Sequence, residues 1–252
     1  MGRHKTIAVI WVTALLLAMP FGCGAAIPEG SPPAEEKPEV TPEVRRLLDN
    51  VDEANRELED LTARVAYERA IPLLEEKERC RGRLAFKKPD HIWLELGRPR
   101  NEELYTDGET WWLVDHDDEQ VEVYDATEEA AQETAFLQFG YGKGSEALLE
   151  DYEVELVAER LEEAEEGEQE TFYRLKFTPR LEEDEPPPRY AAIEAEVSDR
   201  RWLPHLLVLH ESGGEIVHTY ELSRIRLNTG VKDEKFDYEP PGGYTVLRPA
   251  ES

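Results

Sequence analysis

Along residues 82–124 apolar and polar positions alternate with a period of two. Leu84 and Phe86 alternate with Arg83, Ala85 and Lys87; Ile92, Leu94 and Leu96 with His91, Trp93 and Glu95; Val121 and Val123 with Gln120 and Glu122. Such a period buries one face and wets the other, which is the signature of antiparallel strands. Asp107-Gly108 lies between two of these runs and reads as a two-residue type I′ hairpin loop. With those two residues as the loop, Thr106 opposes Glu109, Tyr105 opposes Thr110 and Leu104 opposes Trp111. Leu104, Trp111 and Leu113 then share one face, and Tyr105, Trp112 and Val114 the other. Both faces are partly apolar, so a further segment is expected to pack outside this hairpin.

Before this region the period is helical. Thr41-Pro42-Glu43 supplies an N-cap, a proline in the first turn and an acid beside it. Val44, Leu47, Leu48, Val51, Ala54, Leu58 and Leu61 follow at spacings of three and four, a single apolar stripe. From Thr62 the period falls to two, with Ala63, Val65, Tyr67 and Arg69 opening a first strand and Arg79 to Lys87 a second. A helical pattern returns after Ala126, carrying Ala130, Ala131, Ala135, Phe136 and Phe139. Ser145 is then expected to cap a short helix with Ala147, Leu148 and Leu149. Tyr152 to Ala158 resumes the sheet, and Ala191–Val197, His205–Glu211 and Glu215–Arg226 complete it. Gly213-Gly214 as a two-residue turn sets Leu209 opposite His218 and His210 opposite Val217. The two histidines therefore face opposite ways and cannot share a metal. His218 falls on the face of Leu207, Leu209 and Tyr220, where a hydrogen-bonded core histidine is expected.

The chain opens with an export signal, Met1 to Cys23: a basic start at Arg3 and Lys5, then an apolar run from Ile7 to Met19 that is too short to span a bilayer. Gly22-Cys23 fits lipoprotein processing with acylation of Cys23, and Gly24-Ala25-Ala26 offers a competing cut. Residues 24–41 form a Pro/Glu-rich tether that cannot bury a core. The folded domain is expected over 42–248, with a short tail at 249–252. The expected location is the periplasm, with membrane attachment through the acyl group on Cys23.

Charge narrows the function classes. With 57 Asp and Glu against 29 Lys and Arg, the formal charge is −28. Such a surface repels nucleic acid and anionic membranes, so phosphate-reading functions are disfavoured and nucleic acid is not expected as a partner. The acidic runs Glu159 to Glu170 and Leu181 to Arg189 read as solvated loops or a hairpin tip, and no calcium-loop motif is present. Cys80 is a lone strand thiol with no base placed beside it in sequence. No nucleophile–base pair, phosphate loop or metal-ligand spacing appears, so no catalytic residue, metal or cofactor is expected and the chain reads as a non-enzyme.

Two ordered sets of residues resemble the LolA-like family of periplasmic lipoprotein carriers. The first is Lys88-Pro89-Asp90-His91-Ile92-Trp93 followed by Thr106-Asp107-Gly108-Glu109-Thr110-Trp111-Trp112; the second is Asn228-Thr229-Gly230-Val231 followed by residues 236–246, Phe-Asp-Tyr-Glu-Pro-Pro-Gly-Gly-Tyr-Thr-Val. The resemblance covers roughly Thr41 to Val246. It implies a mainly β fold, an unclosed antiparallel β-barrel or half-pipe with a helical lid. It also implies an apolar cavity for the acyl chains of lipoproteins or other lipids, an inner-membrane lipoprotein-releasing transporter as a partner, and a monomer.

On the alternation above, the cavity would be lined by Leu84, Phe86, Ile92, Leu94, Leu96, Leu104, Trp111, Leu113, Val121 and Val123. The lid would be the stripe of Val44, Leu47, Leu48, Val51 and Leu58. Ile92 and Leu94 stand where the family's carriers place aromatics, and Lys88 where they place an arginine that bonds lid carbonyls. Three readings stay open: a lipid or lipoprotein carrier acting in sorting to the outer membrane, a membrane-anchored acceptor or envelope-stress sensor, and a structural lipoprotein without cargo.

Overall fold

In the computed structural model the described residues are 40–125, 141, 144–163, 168–181 and 187–248. The export signal, Cys23, the tether up to residue 39, the expected helix over Ala130 to Phe139 and the tail from residue 249 lie outside them.

Helix α1 runs Pro42–Glu57, capped by Thr41, whose Oγ1 accepts the amide of Val44 at 3.3 Å. Val44, Leu47, Leu48 and Val51 are buried on one face. The helix stops short of the apolar stripe: Leu58 is extended, with φ −77° and ψ 126°, and Leu61 belongs to the first strand. The cause lies across the chain. Asn228 donates from Nδ2 to the Glu57 carbonyl and accepts the Glu59 amide at 2.8 Å, so the backbone groups that would continue the helix are already taken.

The strands are β1 (Asp60–Ile71), β2 (Glu76–Lys87), β3 (His91–Leu96), β4 (Glu102–Thr106), β5 (Thr110–Asp115), β6 (Gln120–Asp125), β7 (Tyr152–Glu163), β8 (Gln169–Pro179), β9 (Tyr190–Ser198), β10 (Pro204–Glu211), β11 (Val217–Leu227) and β12 (Thr245–Leu247). They form one 12-stranded sheet in the order β12-β6-β5-β4-β3-β2-β1-β11-β10-β9-β8-β7. Every pairing is antiparallel except β12 on β6. β12 and β7 end the sheet without joining, so the barrel is open. A second helix, α2 (Ser145–Asp151), precedes β7. Gly82 shows how tightly β2 lies on β3, since a Cβ there would sit 2.0 Å from the Glu95 carbonyl oxygen.

Several local expectations are corrected. The β4–β5 loop is not a two-residue turn: Thr106 pairs with Trp111 and Leu104 with Leu113. Asp107 instead closes a wider loop, its Oδ1 accepting the amides of Glu109 and Thr110 at 2.9 and 2.8 Å, while Gly108 alone takes the positive φ of 91°. The register moves by two residues, an even step, so the faces remain as expected. Ser145 does not cap α2; it is the first helical residue. Asp52 of α1 does the capping, accepting the Ser145 amide at 2.9 Å and its hydroxyl at 2.5 Å. The acidic stretch beyond Glu159 is strand as far as Glu163, because β8, which no motif marked out, pairs with it throughout.

Something does pack outside the first hairpins. Phe236 is buried against Ala85 and Trp93, Tyr238 lies on Tyr105, and β12 covers the edge of β6. This C-terminal strap accounts for the apolar residues on the outer side of the first hairpins, Ala85, Trp93, Tyr105 and Trp112.

Candidate functional site

The concave face follows from the register. Leu84 opposes Leu94, Phe86 opposes Ile92, Leu94 opposes Leu104 and Leu104 opposes Leu113, so these side chains form rows across β2 to β5. Val121 and Val123 are not among them. β6 pairs Val114 with Val121 and Trp112 with Val123, which puts both valines on the outer face, and Glu122 and Tyr124 on the inner. The strap explains the misassignment: with both faces of β6 partly covered, an apolar residue no longer marks the inside.

The remaining sequence-derived lining residues divide into two groups. Leu84, Phe86, Ile92 and Trp111 are buried in one apolar cluster together with Val44, Leu47, Leu48 and Leu58 and with Tyr141. Leu94, Leu96, Leu104 and Leu113 line an unfilled cavity of about 400 Å³ farther along the strands. That cavity is only half apolar. Tyr67, Arg100, Glu102, Glu122, Tyr190, His218 and Tyr220 are among the other residues of its wall, a polar set that alternation does not reveal.

Burial shapes the chemistry of that wall. Beside the wall, in the apolar cluster, burial pushes the Cys80 thiol up to about 11. Burial also raises Glu102, against the pull of Arg100, whose guanidinium sits 2.9 Å from its carboxylate and 5.8 Å from the ring of Tyr67. His218 is held below the ordinary histidine value by burial. Its Nε2 lies 2.9 Å from Glu211, which can only accept, so Nε2 carries the proton and Nδ1 accepts from the Tyr67 hydroxyl at 2.8 Å.

The cover is fastened by polar contacts at the helix ends. Lys88 Nζ donates to the Asn55 carbonyl near the C-terminus of α1, where the helix dipole favours a cation, and burial lowers its pKa. Beside it Asp60 accepts the amides of Thr229, Gly230 and Val231 at 2.8, 2.9 and 3.3 Å and the Thr229 hydroxyl at 3.0 Å. Burial opposes the charge, but these donors hold Asp60 below its usual value. Asp60 carries no sequence signal of its own; its partners, residues 228–231, did.

A family model described as outer membrane lipoprotein carrier protein LolA matches residues 73–239, more than half of the chain. The chain belongs to the LolA family. An outer-membrane lipoprotein carrier protein of Halorhodospira halophila (strain DSM 244 / SL1) is 30% identical over 169 residues, which is 67% of this chain and 70% of that protein. Among solved structures, an uncharacterized conserved protein from Thermus thermophilus aligns with a TM-score of 0.50 at 12% identity, covering 82% of this chain and 99% of that one. A LolA superfamily protein from Nitrosomonas europaea aligns with a TM-score of 0.42 at 14% identity, covering 77% and 97%. The LolA match begins in the β1–β2 turn, so α1 and all of β1 precede it. Among the described residues no helix is long and apolar enough to cross a membrane.

Proposed function

We propose that this LolA-family chain is a non-catalytic carrier that holds the acyl chains of lipids or lipoproteins in the cell envelope. The observation that carries the reading is the continuity of the apolar floor. Leucines of the open cavity pass, row by row along the same strands, into Leu84, Phe86, Ile92 and Trp111, whose cover among the described residues includes α1, Tyr141 and Leu148 of α2. Each methylene moved out of water gains ~0.8 kcal/mol, so the acyl chains of a lipoprotein need a concavity of this kind to stay dispersed. The present cavity, about 400 Å³, takes part of such a ligand; the rest requires α1 to swing away, with Lys88 as the latch.

The test is uptake of a hydrophobic fluorescent dye and lipid analysis of natively purified protein. Leu94→Glu, which places a charge at the floor, is expected to abolish uptake while far-ultraviolet circular dichroism stays unchanged. Wild type that carries no lipid and takes up no dye refutes the reading.

A second reading, a membrane-anchored acceptor or sensor, is favoured by Gly22-Cys23 and the Pro/Glu-rich stretch after it. Mass spectrometry of the mature N-terminus separates the two: an acylated Cys23 supports the anchored form, a free N-terminus at Ile27 the diffusing one.

A further inference from the structure

The outer face of β11, β1 and β2 carries a charge opposite to that of the molecule. Arg64 of β1 lies directly across from Arg83 of β2, and Arg81 lies one step along the same face, across from Ala66. Arg226 of β11 extends the group on the other side, where it opposes Thr62 and Ser223 opposes Arg64; Arg224 lies in the bulge between these two pairs, with a φ of 52°. All five arginines are exposed. Arg83 is paired with Glu95 at 2.5 Å, whereas the other four make no ion pair among the described residues. Like charges directly across a strand pair are destabilising. In a chain of 57 acids, an acid at position 64 would have relieved the pair.

Farther down the same hairpin Lys77 and Arg79 share Glu68, at 2.9 and 2.5 Å; the other strand carboxylates on this face are Glu221 and Asp60, the latter held by the amides of Thr229, Gly230 and Val231. The hairpin then ends in the turn Pro72–Leu74, where Leu73 is 82% exposed and Leu74 60%. Glu75 and Glu76 follow this turn. A solvent-facing turn has no packing use for two leucines, so their burial is to be sought outside the chain.

We propose that the back of the β1–β2 hairpin is a membrane-docking surface, with Leu73 and Leu74 entering the interface of a bilayer and the arginines meeting the phosphates of anionic lipids. The chemistry fits on both counts. Guanidinium forks bind phosphate oxygens in pairs, and apolar tips supply binding that is independent of charge. An acidic protein would satisfy the arginines but leaves the leucines unexplained. The remaining acids of the chain repel an anionic surface, so contact is confined to this face and works within a Debye length, ~8 Å at physiological salt.

Flotation with vesicles tests the surface, using the full chain with Cys23→Ser so that no acyl anchor contributes. Binding to phosphatidylcholine vesicles containing phosphatidylglycerol is expected, and Arg64→Glu/Arg81→Glu should lower the partition coefficient about tenfold or more. A control of equal charge change away from this face, Arg200→Glu/Arg201→Glu, should leave it near wild type. Leu73→Ser/Leu74→Ser should weaken binding to vesicles with or without the anionic lipid. Absence of flotation, or equal losses in the patch and control variants, overturns the proposal, as does capture of polyglutamate by a protein that ignores vesicles. Circular dichroism confirms folding of each variant, and dye uptake on the same samples reports the carrier reading separately.

Discussion

At one end of the half-pipe β1, β2, β3 and β5 present Leu61, Phe86, Ile92 and Trp111 to the interior; at the other end the same strands present Tyr67, Cys80, Leu96 and Asp115. The first end is filled by α1 and Tyr141, and the second is an open cavity walled by tyrosines and an arginine–glutamate pair. Nothing in the strand periodicity distinguishes them. The inward positions are common to both ends, and what differs is whether a helix supplies a second apolar surface. At the second end β1 and β5 turn polar, with Tyr67 and Asp115, while β2 and β3 keep the buried Cys80 and Leu96.

The largest effect should come from truncating the filled end. Phe86 is 1% exposed and packs against Tyr141 at 5.8 Å between ring centres, so Phe86→Ala is expected to cost about 3–5 kcal/mol in urea unfolding. Leu113→Ala, at the edge of a cavity that already exists, should cost about 1 kcal/mol. Equal costs would mean that the two ends are packed alike and that the contrast is false.

Next in size is the clasp beside the helix terminus. Asp60→Ala removes the acceptor of three part-buried amides and a hydroxyl, and a loss of about 1–3 kcal/mol is expected. The folded carboxyl is held below its ordinary value, so its stabilisation is complete above that value, near pH 4, and is lost as pH falls through the lower folded one. Hydrogen exchange should show the α1 end loosening in this variant while β7–β9 keep their protection. Uniform loosening would instead make Asp60 a support of the whole sheet.

Much of this architecture is legible in the residues themselves. The α1 stripe, the strand alternation and the Gly213-Gly214 register all follow from periodicity and turn chemistry, and Leu209 does oppose His218. Misreadings arise where a distant segment changes what a local pattern means. Val121 and Val123 look inward only if the outer face is wet, and Val121 is fully buried on that face, where β12 pairs with β6. The apolar stripe runs on to Leu61, but Asn228, far along the chain, takes the backbone groups that would continue the helix. The polar wall of the cavity, with Arg100 and Glu102, is invisible for the same reason, since neither residue is apolar enough to enter an alternation.

Lys88 sharpens the comparison at the boundary between cover and floor. Lys88→Leu removes a cation from the helix C-terminus and a donor from the Asn55 carbonyl, so about 1–2 kcal/mol should shift toward the open arrangement. That is roughly a tenfold change in population. Spin labels on α1 and on the Asp107-Gly108 loop should show a longer distance in the variant without ligand, and Lys88→Arg should restore the wild-type distance. Identical distances in all three proteins would reduce Lys88 to a strand-end charge.

The smallest effect belongs to the open end, where His218 senses protons without touching the cover. Burial lowers its pKa from the ordinary 6.5 in the folded state, overriding the attraction of Glu211. Between that lower value and 6.5 the unfolded chain binds more protons than the folded one, so stability falls as pH drops through this window. His205 is depressed in the same direction, again first by burial, and it faces Glu196 on the outer side of the sheet, so a single substitution removes only part of the slope. His218→Gln keeps a hydrogen-bonding side chain without the titration, and urea midpoints measured from pH 7.5 to 5 should fall less steeply than in wild type. Above pH 7, where both histidines are neutral, the variant should lie below wild type by about 1 kcal/mol from the altered contacts with Tyr67 and Glu211. A wild-type midpoint that is flat across the window, or a slope unchanged by the substitution, would show that His218 is free to take up a proton where it lies and that the open end is wetter than its geometry implies.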